Sequence, residues 1–102
     1  MVIYVDIDET ICNYSGDREY DLAEPIFENI DVINKLYEEG NEIVYWTARG
    51  TTTGIDWTGL TTKQLNQWGV KYTKIQLGKP YYDLFICDKA INSIEYFKNR
   101  GQ

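Results

Sequence analysis

Two aspartates separated by one residue follow the first apolar run of the chain. Val2 to Val5 predicts a buried strand, and Asp6 and Asp8 come directly after it. Like charges at this spacing repel each other and lose hydration when partly buried, so a chain tolerates them where a cation or a reaction uses them. One carboxylate can attack phosphorus while the other moves a proton, which is the chemistry of phosphoryl transfer.

Other polar residues stand at comparable places further along the chain. Thr47 ends the second apolar run, Lys79 lies in a loop before the fourth, and Asp88 follows the fourth. In open parallel sheets the ligand crevice lies outside the carboxyl ends of the strands. We therefore expect these residues to gather near Asp6 and Asp8, although a lone Thr or Lys is more often a solvated surface residue.

The elements that must position these residues alternate between strand and helix. Predicted strands cover Val2 to Asp6, Glu42 to Thr47, Tyr72 to Leu77 and Asp83 to Cys87, with helices from Pro25 to Gly40, Thr62 to Trp68 and Ala90 to Lys98. The alternation predicts a single α/β domain over residues 1–102, a Rossmann-like three-layer sandwich with a central parallel sheet in the order 4-1-2-3. Residues 12–24 predict a loop or small hairpin, and residues 50–62 a loop.

Helical spacing of apolar residues predicts which faces are buried. In the first helix, Pro25 suits the first turn and Gly40 a C-cap. Its predicted buried face comprises Ile26, Phe27, Ile30, Ile33, Leu36 and Tyr37. In the last helix, Ile91, Ile94 and Phe97 are expected to face inward.

The composition excludes several classes of function. The 102 residues carry a net charge of −6, which disfavours DNA or RNA as a general partner, and contain no His, which excludes histidine-based catalysis and His-ligated metals. Two cysteines, Cys12 and Cys87, make neither a disulfide framework nor a zinc cluster. With no membrane-spanning stretch or signal-peptide pattern, the chain is expected to be cytoplasmic.

The motif order resembles that of the haloacid dehalogenase superfamily of phosphatases. Its first motif, DxDx(T/V), is met by Asp6, Asp8 and Thr10, and Thr47, Lys79 and Asp88 stand at the later motifs. Trp46 to Arg49 and Gly78 to Asn92 are similar to small capless members linked to capsular polysaccharide and surface-sugar biosynthesis. The resemblance implies a Mg²⁺-dependent phosphatase that acts on a small phosphate monoester, such as a sugar phosphate.

The resemblance also implies individual roles. Asp6 would be the nucleophile and Asp8 the general acid and base. A raised pKa suits that task, and the neighbouring carboxylate and partial burial are expected to shift the pKa of Asp8 upward. Thr47 and Lys79 would stabilise the phosphoryl oxygens. Mg²⁺ would be held by the Asp6 side chain, the Asp8 carbonyl and Asp88, the last directly or through water.

Two residues are assigned to substrate binding. Thr10 is expected to act mainly by shaping the nucleophile loop through a side-chain-to-backbone bond. Arg49 either holds an anionic part of the substrate or lies at the surface.

The chain departs from the family pattern in three ways. Cys87 replaces the first of two adjacent acids, which removes a hard oxygen ligand, and Glu9 stands where many relatives carry Gly or Asp. No segment is long enough for a cap domain, so the site is expected to be open or completed by a second subunit of a homo-oligomer. Aromatic residues either line its mouth or belong to the core and surface: Tyr14, Tyr20, Trp57, Tyr81 and Tyr82.

Other functions compete with this interpretation. Residues 12–18 satisfy the Cys-x5-Arg phosphate loop of cysteine phosphatases, but Asp17 lies inside the motif and no helical pattern begins at Arg18. A receiver-like module would also use clustered acids and the Lys79-Pro80 pair, but its phosphorylated Asp would stand at the end of the third strand. The last alternative is a catalytically weak relative that binds a phosphorylated ligand or partner.

Overall fold

Short apolar runs of the chain form strands, and longer amphipathic runs form helices. The computed structural model describes residues 1–100; residues 101 and 102 of the predicted domain lie outside the described residues. The elements in chain order are β1 (Val2–Val5), β2 (Cys12–Asn13), β3 (Glu24–Pro25), α1 (Phe27–Glu38), β4 (Glu42–Trp46), α2 (Thr58–Gln67), β5 (Lys74–Gln76) and α3 (Ser93–Arg100). A short 3₁₀ helix, Tyr20–Leu22, lies between β2 and β3.

Three strands form a parallel sheet in the order β1-β4-β5. Val5 is in register with Tyr45, and Tyr45 with Ile75. The helices α1 and α2 connect successive strands, as parallel pairing requires. The predicted α/β class, the parallel sheet and the relative order of the first three strands are confirmed.

The predicted fourth strand is wrong. Residues 83–87 have no strand conformation, and every residue from Pro80 to Asn92 is exposed, with Ile86 at 88%. A cavity of about 930 Å³ lies between β1 and this segment, and its lining includes Tyr4, Tyr82 and Phe85. An apolar run becomes a strand only where its backbone finds a partner, and this segment lies across the cavity from β1 without pairing with its outer edge.

The helices follow both the predicted faces and the predicted ends only in part. In α1, Ile30, Ile33 and Leu36 are buried as expected, whereas Phe27 and Tyr37 are exposed. Pro25 belongs to β3 and not to the first helical turn, and Gly40 follows α1 with a φ of +100°, as its predicted capping role requires.

Two further helices differ from prediction at their ends. The helix α2 begins at Thr58 instead of Thr62, and α3 spans Ser93–Arg100 instead of Ala90 to Lys98. Phe97 of α3 is buried as expected, but Ile91 and Ile94 are exposed. No helix within residues 1–100 is both long and apolar enough to cross a membrane.

One apolar core holds the candidate site in place. Ile7 and Ile11 are fully buried on either side of Asp8, and Ile43 and Tyr45 of the central strand are buried with them. The predicted small hairpin is confirmed, since Cys12 pairs with Pro25 and Asn13 with Glu24. The loop after β1 is therefore anchored by apolar side chains at both ends, which limits how far its carboxylates can move.

Candidate functional site

The loop after β1 presents both aspartates through a tight turn. The backbone N–H groups of Thr10 and Ile11 donate to the carbonyl oxygen of Ile7 at 3.1 and 2.9 Å, which closes the turn. Glu9 adopts a left-handed φ of +64°, an unusual conformation for a residue with a side chain. The Asp6 side chain remains 42% exposed, and the Asp8 side chain points into a more enclosed environment at 11%.

Lys79 forms an ion pair with Asp6. Its Nζ lies 3.3 Å from Asp6 Oδ2, and its backbone N–H donates to the carbonyl oxygen of Thr47 at 3.1 Å. The same ammonium group lies over the rings of Trp46 and Tyr82, at 5.7 and 5.6 Å from their centroids. The structure thus brings together Lys79 and Asp6, which lie far apart in the sequence.

Thr47 lies in the floor of the site. Its side chain is buried, its backbone N–H donates to the Gln76 carbonyl oxygen at 3.0 Å, and its Oγ1 accepts the backbone N–H of Arg49 at 3.1 Å. A hydroxyl that accepts one bond still has a hydrogen to donate. Thr47 can therefore offer that hydrogen to an anion beside Asp6.

Arg49 is fully buried and donates two hydrogen bonds to Asp8. Nε donates to Asp8 Oδ2 at 3.0 Å and Nη2 to Asp8 Oδ1 at 2.8 Å. Its third nitrogen, Nη1, donates to Gln64 Oε1 at 2.6 Å and Thr61 Oγ1 at 3.2 Å, both on α2. The ring of Tyr20 covers the guanidinium at 4.8 Å. Neither of the two roles predicted for Arg49, a surface position or contact with substrate, anticipated this ion pair.

The pKa of Asp8 is lowered. Burial raises it, but the hydrogen bonds and positive charge of Arg49, together with hydrogen bonds from Tyr14 and Cys12, outweigh that effect. Tyr14 Oη donates to Asp8 Oδ1 at 2.5 Å. The expected upward shift of the Asp8 pKa is wrong in direction, because the Arg49 cation outweighs the burial on which that expectation rests in part.

Several residues around Asp8 were missed as site residues. The sequence pattern offers Tyr14 only for the mouth of the site and gives Cys12 a catalytic role only in the Cys-x5-Arg alternative, and it does not point to Thr61 or Gln64. Burial, followed by the negative charge of Asp8, raises the pKa of the Cys12 thiol to about 12. A cysteine phosphatase needs an accessible thiol whose pKa is lowered, and Cys12 is fully buried, so its environment argues against that alternative.

Thr10 and Asp88 do not join the cluster. Thr10 is buried, and its carbonyl oxygen accepts the Asn29 side-chain amide at 2.9 Å. Asp88 is exposed, with its Oδ1 3.8 Å from Cys87 Sγ. Within residues 1–100, no three Asp, Glu or Cys side chains form a group that could hold a metal ion.

The cluster opens into a cavity of about 330 Å³, near the lower end of the size range of small-molecule sites. Its lining residues come from the loops after β1 and β4, the segment between β2 and β3, and the exposed segment after β5: Asp6, Asp8, Arg18, Tyr20, Thr47, Ala48, Arg49, Thr52 and Tyr81. Tyr20 and Tyr81 therefore line the cavity, which agrees with the prediction that aromatic residues line the mouth of the site.

The chain is similar to a solved crystal structure of a target protein from Vibrio cholerae. The match has a TM-score of 0.83 and 26% sequence identity, and covers 93% of this chain and 85% of that chain. No family model and no curated protein matches the chain. The similarity extends over nearly the whole α/β fold, so the arrangement of sheet and helices described above also occurs in a protein solved by crystallography.

Proposed function

We propose that this chain is a phosphatase that hydrolyses a small phosphate monoester through an aspartyl-phosphate. The observation that carries the proposal is the contact of the Asp6 carboxylate with the Lys79 ammonium at 3.3 Å, on a carboxylate that remains accessible beside a cavity. A nucleophile for phosphorus must be exposed, and a nearby cation must offset the repulsion between carboxylate and phosphate. Asp6 meets both conditions.

The first step would be attack of an Asp6 oxygen on phosphorus, which forms the acyl-phosphate bond as the bond to the leaving alkoxide breaks. Lys79 and the Thr47 hydroxyl hydrogen would stabilise the phosphoryl oxygens. Asp8 is ionised next to Arg49, and the charge of an arriving phosphate would raise its pKa, which favours uptake of the proton that the alkoxide needs. In the second step Asp8 would remove a proton from a water molecule that attacks phosphorus, and the acyl-phosphate bond to Asp6 would break, which releases inorganic phosphate and restores the Asp6 carboxylate.

The proposed phosphatase would use Mg²⁺, held by fewer ligands than the family resemblance implies. The accessible Asp6 carboxylate and the Asp8 backbone carbonyl are hard oxygen donors of the kind Mg²⁺ prefers, with water in the remaining positions. When bound, the ion would neutralise charge on the phosphate. Asp88 lies outside the cavity lining, so in this conformation it could act only at a distance.

The substrate class follows from the resemblance and from the open cavity. A haloacid dehalogenase-like domain without a cap would accept a phosphorylated sugar or a sugar-derived intermediate of surface-polysaccharide biosynthesis. The short hairpin of β2 and β3 supports the capless interpretation, because it is the only insertion between the first motif and α1 in the described chain. A second subunit could cover the remaining opening.

The deciding experiment is phosphate release from a panel of sugar phosphates and other monoesters, with Mg²⁺ or with EDTA. Asp6→Asn removes the nucleophile while keeping the shape of the side chain, and Asp31→Asn, an exposed acid of α1, is the matched control. We expect Mg²⁺-dependent release that is lost in Asp6→Asn and kept in Asp31→Asn. Equal release by all three proteins would refute the proposal.

A second candidate is a module that binds a phosphorylated ligand without turnover. The position of Asp88 and the presence of Cys87 favour it, because a divalent cation would have fewer hard ligands. It predicts that phosphate binds measurably by calorimetry while no monoester is hydrolysed. A gain of turnover in Cys87→Asp would identify the missing acid as the cause.

A further inference from the structure

Arg18 is a cation of the cavity that lacks a strong anionic partner among the described residues. Its Nη1 lies 4.0 Å from Glu9 Oε1, and both side chains are 58% exposed. Arg49, by contrast, is buried against Asp8, and Lys79 contacts Asp6. An exposed ion pair at this distance contributes little stability, so its rearrangement costs little.

The position of Arg18 is tied to the reacting end of the cavity through Tyr14. The guanidinium carbon lies 5.6 Å from the centre of the Tyr14 ring, and the hydroxyl of the same residue donates to Asp8 at 2.5 Å. About one tyrosine side chain therefore separates Arg18 from the Asp8 carboxylate. A ligand whose phosphate lies at Asp6 would extend toward Arg18 along the cavity that both residues line.

We propose that Arg18 binds a second anionic group of the substrate, a carboxylate or a further phosphate, a few bonds away from the phosphate that is cleaved. The proposal rests on the proposed phosphatase function. A guanidinium offers paired N–H donors that match two oxygens of such a group. Tyr20 and Tyr81 line the same cavity and would contact the uncharged part of the molecule between the two anions.

Matched pairs of substrates test this directly. Phosphoglycolate is compared with ethyl phosphate, and a sugar bisphosphate with the corresponding monophosphate, using the wild-type chain, Arg18→Met and Arg18→Lys. Lys35→Met, which removes one exposed positive charge on α1, is the control. We expect the wild type to prefer the doubly anionic member of each pair.

Loss of the charged hydrogen bonds in Arg18→Met should lower kcat/KM for that member by about tenfold to a hundredfold, mainly through KM. The singly anionic member should be unaffected, Arg18→Lys should recover part of the loss, and Lys35→Met should behave as wild type. Equal effects on both members of a pair, or no effect, would overturn the role of Arg18.

Failure of the phosphatase proposal is distinguishable from failure of this one. If the wild type releases phosphate from no compound, binding of phosphoglycolate is measured by calorimetry in the same variants. Binding that weakens in Arg18→Met but not in Lys35→Met retains the anion site, while absent binding or equal binding in both variants rejects it.

Discussion

Arg49 holds Asp8 through two hydrogen bonds of 3.0 and 2.8 Å, and its guanidinium has no exposed surface. The arginine is in turn fixed by Gln64, whose Nε2 donates to the Tyr20 carbonyl oxygen at 2.6 Å. A continuous set of polar contacts therefore links α2, the segment between β2 and β3, and the loop that carries both aspartates. Asp8 is positioned by this network as well as by its own loop.

Removal of Arg49 should destabilise the protein strongly. Arg49→Met retains much of the side-chain volume but leaves Asp8 without its cation, and breaking a buried pair from one side costs about 3–5 kcal/mol. Urea unfolding measures the loss in the free energy of unfolding. The double variant Arg49→Met with Asp8→Asn should recover part of the lost stability, because it removes both charges and so leaves no unpaired carboxylate in the site. A loss below about 1 kcal/mol in Arg49→Met would mean that the pair behaves as an exposed one.

The contribution of Asp8 to stability should depend on pH. Because its pKa in the folded chain lies below the ordinary value of 3.8, the stabilisation is present above that value and is lost as the pH falls through the folded pKa. The difference in unfolding free energy between wild type and Asp8→Asn should be constant near neutral pH and shrink below 3.8. Asp31→Asn controls for removal of a carboxylate. A difference that stays constant down to about pH 2 would contradict the lowered pKa.

Gly50 should be less replaceable than Gly54. Both have a positive φ, of +82° and +76°, so Ala costs about 1–2 kcal/mol at either position. A Cβ on Gly50 would also lie 2.1 Å from the Ile55 carbonyl oxygen, whereas a Cβ on Gly54 meets nothing within 4 Å. In thermal unfolding, Gly50→Ala should therefore lower the Tm clearly more than Gly54→Ala does.

The substitution Gly50→Ala should lower activity as well as thermal stability. A Cβ at this position would also come within 3.1 Å of the Trp57 ring, and Trp57 packs edge-on against Tyr20 at 5.1 Å, next to Arg49. Gly50→Ala should lower kcat when measured well below its unfolding temperature, and Gly54→Ala should not. Equal behaviour of the two variants would show that the loop accommodates the extra carbon.

The two thiols should differ sharply in reactivity. Cys12 is fully buried, and burial together with the charge of Asp8 raises its pKa to about 12, while Cys87 is exposed. Since the thiolate is the reactive form, a disulfide reagent should modify one thiol in the native protein and two in denaturant. Cys87→Ser should leave the native protein unmodified. Rapid reaction of two thiols in the native wild type would contradict the burial of Cys12.

Much of the site was predictable from the sequence because its parts lie at the ends of strands. Asp6, Thr47 and Lys79 were expected to meet, and the structure places Lys79 against both the Asp6 carboxylate and the Thr47 carbonyl. This is a general consequence of parallel pairing, in which the carboxyl ends of the strands share one edge. The burial of Ile30, Ile33 and Leu36 on α1 was predictable because helical spacing places them on one side, whereas the same pattern did not predict that Phe27 and Tyr37 are exposed.

The alternating α/β order, the parallel strands and the acidic loop were all predictable from the sequence, because each depends on the local pattern of apolar, polar and turn residues. By contrast, two features emerge only from the packed chain: residues 83–87 stay outside the sheet, and Arg49 pairs with Asp8, 41 positions away in the sequence. Whether an apolar segment pairs, and whether a buried charge finds its partner, depends on contacts between distant parts of the chain. No local pattern encodes those contacts, so they follow only from the packed fold.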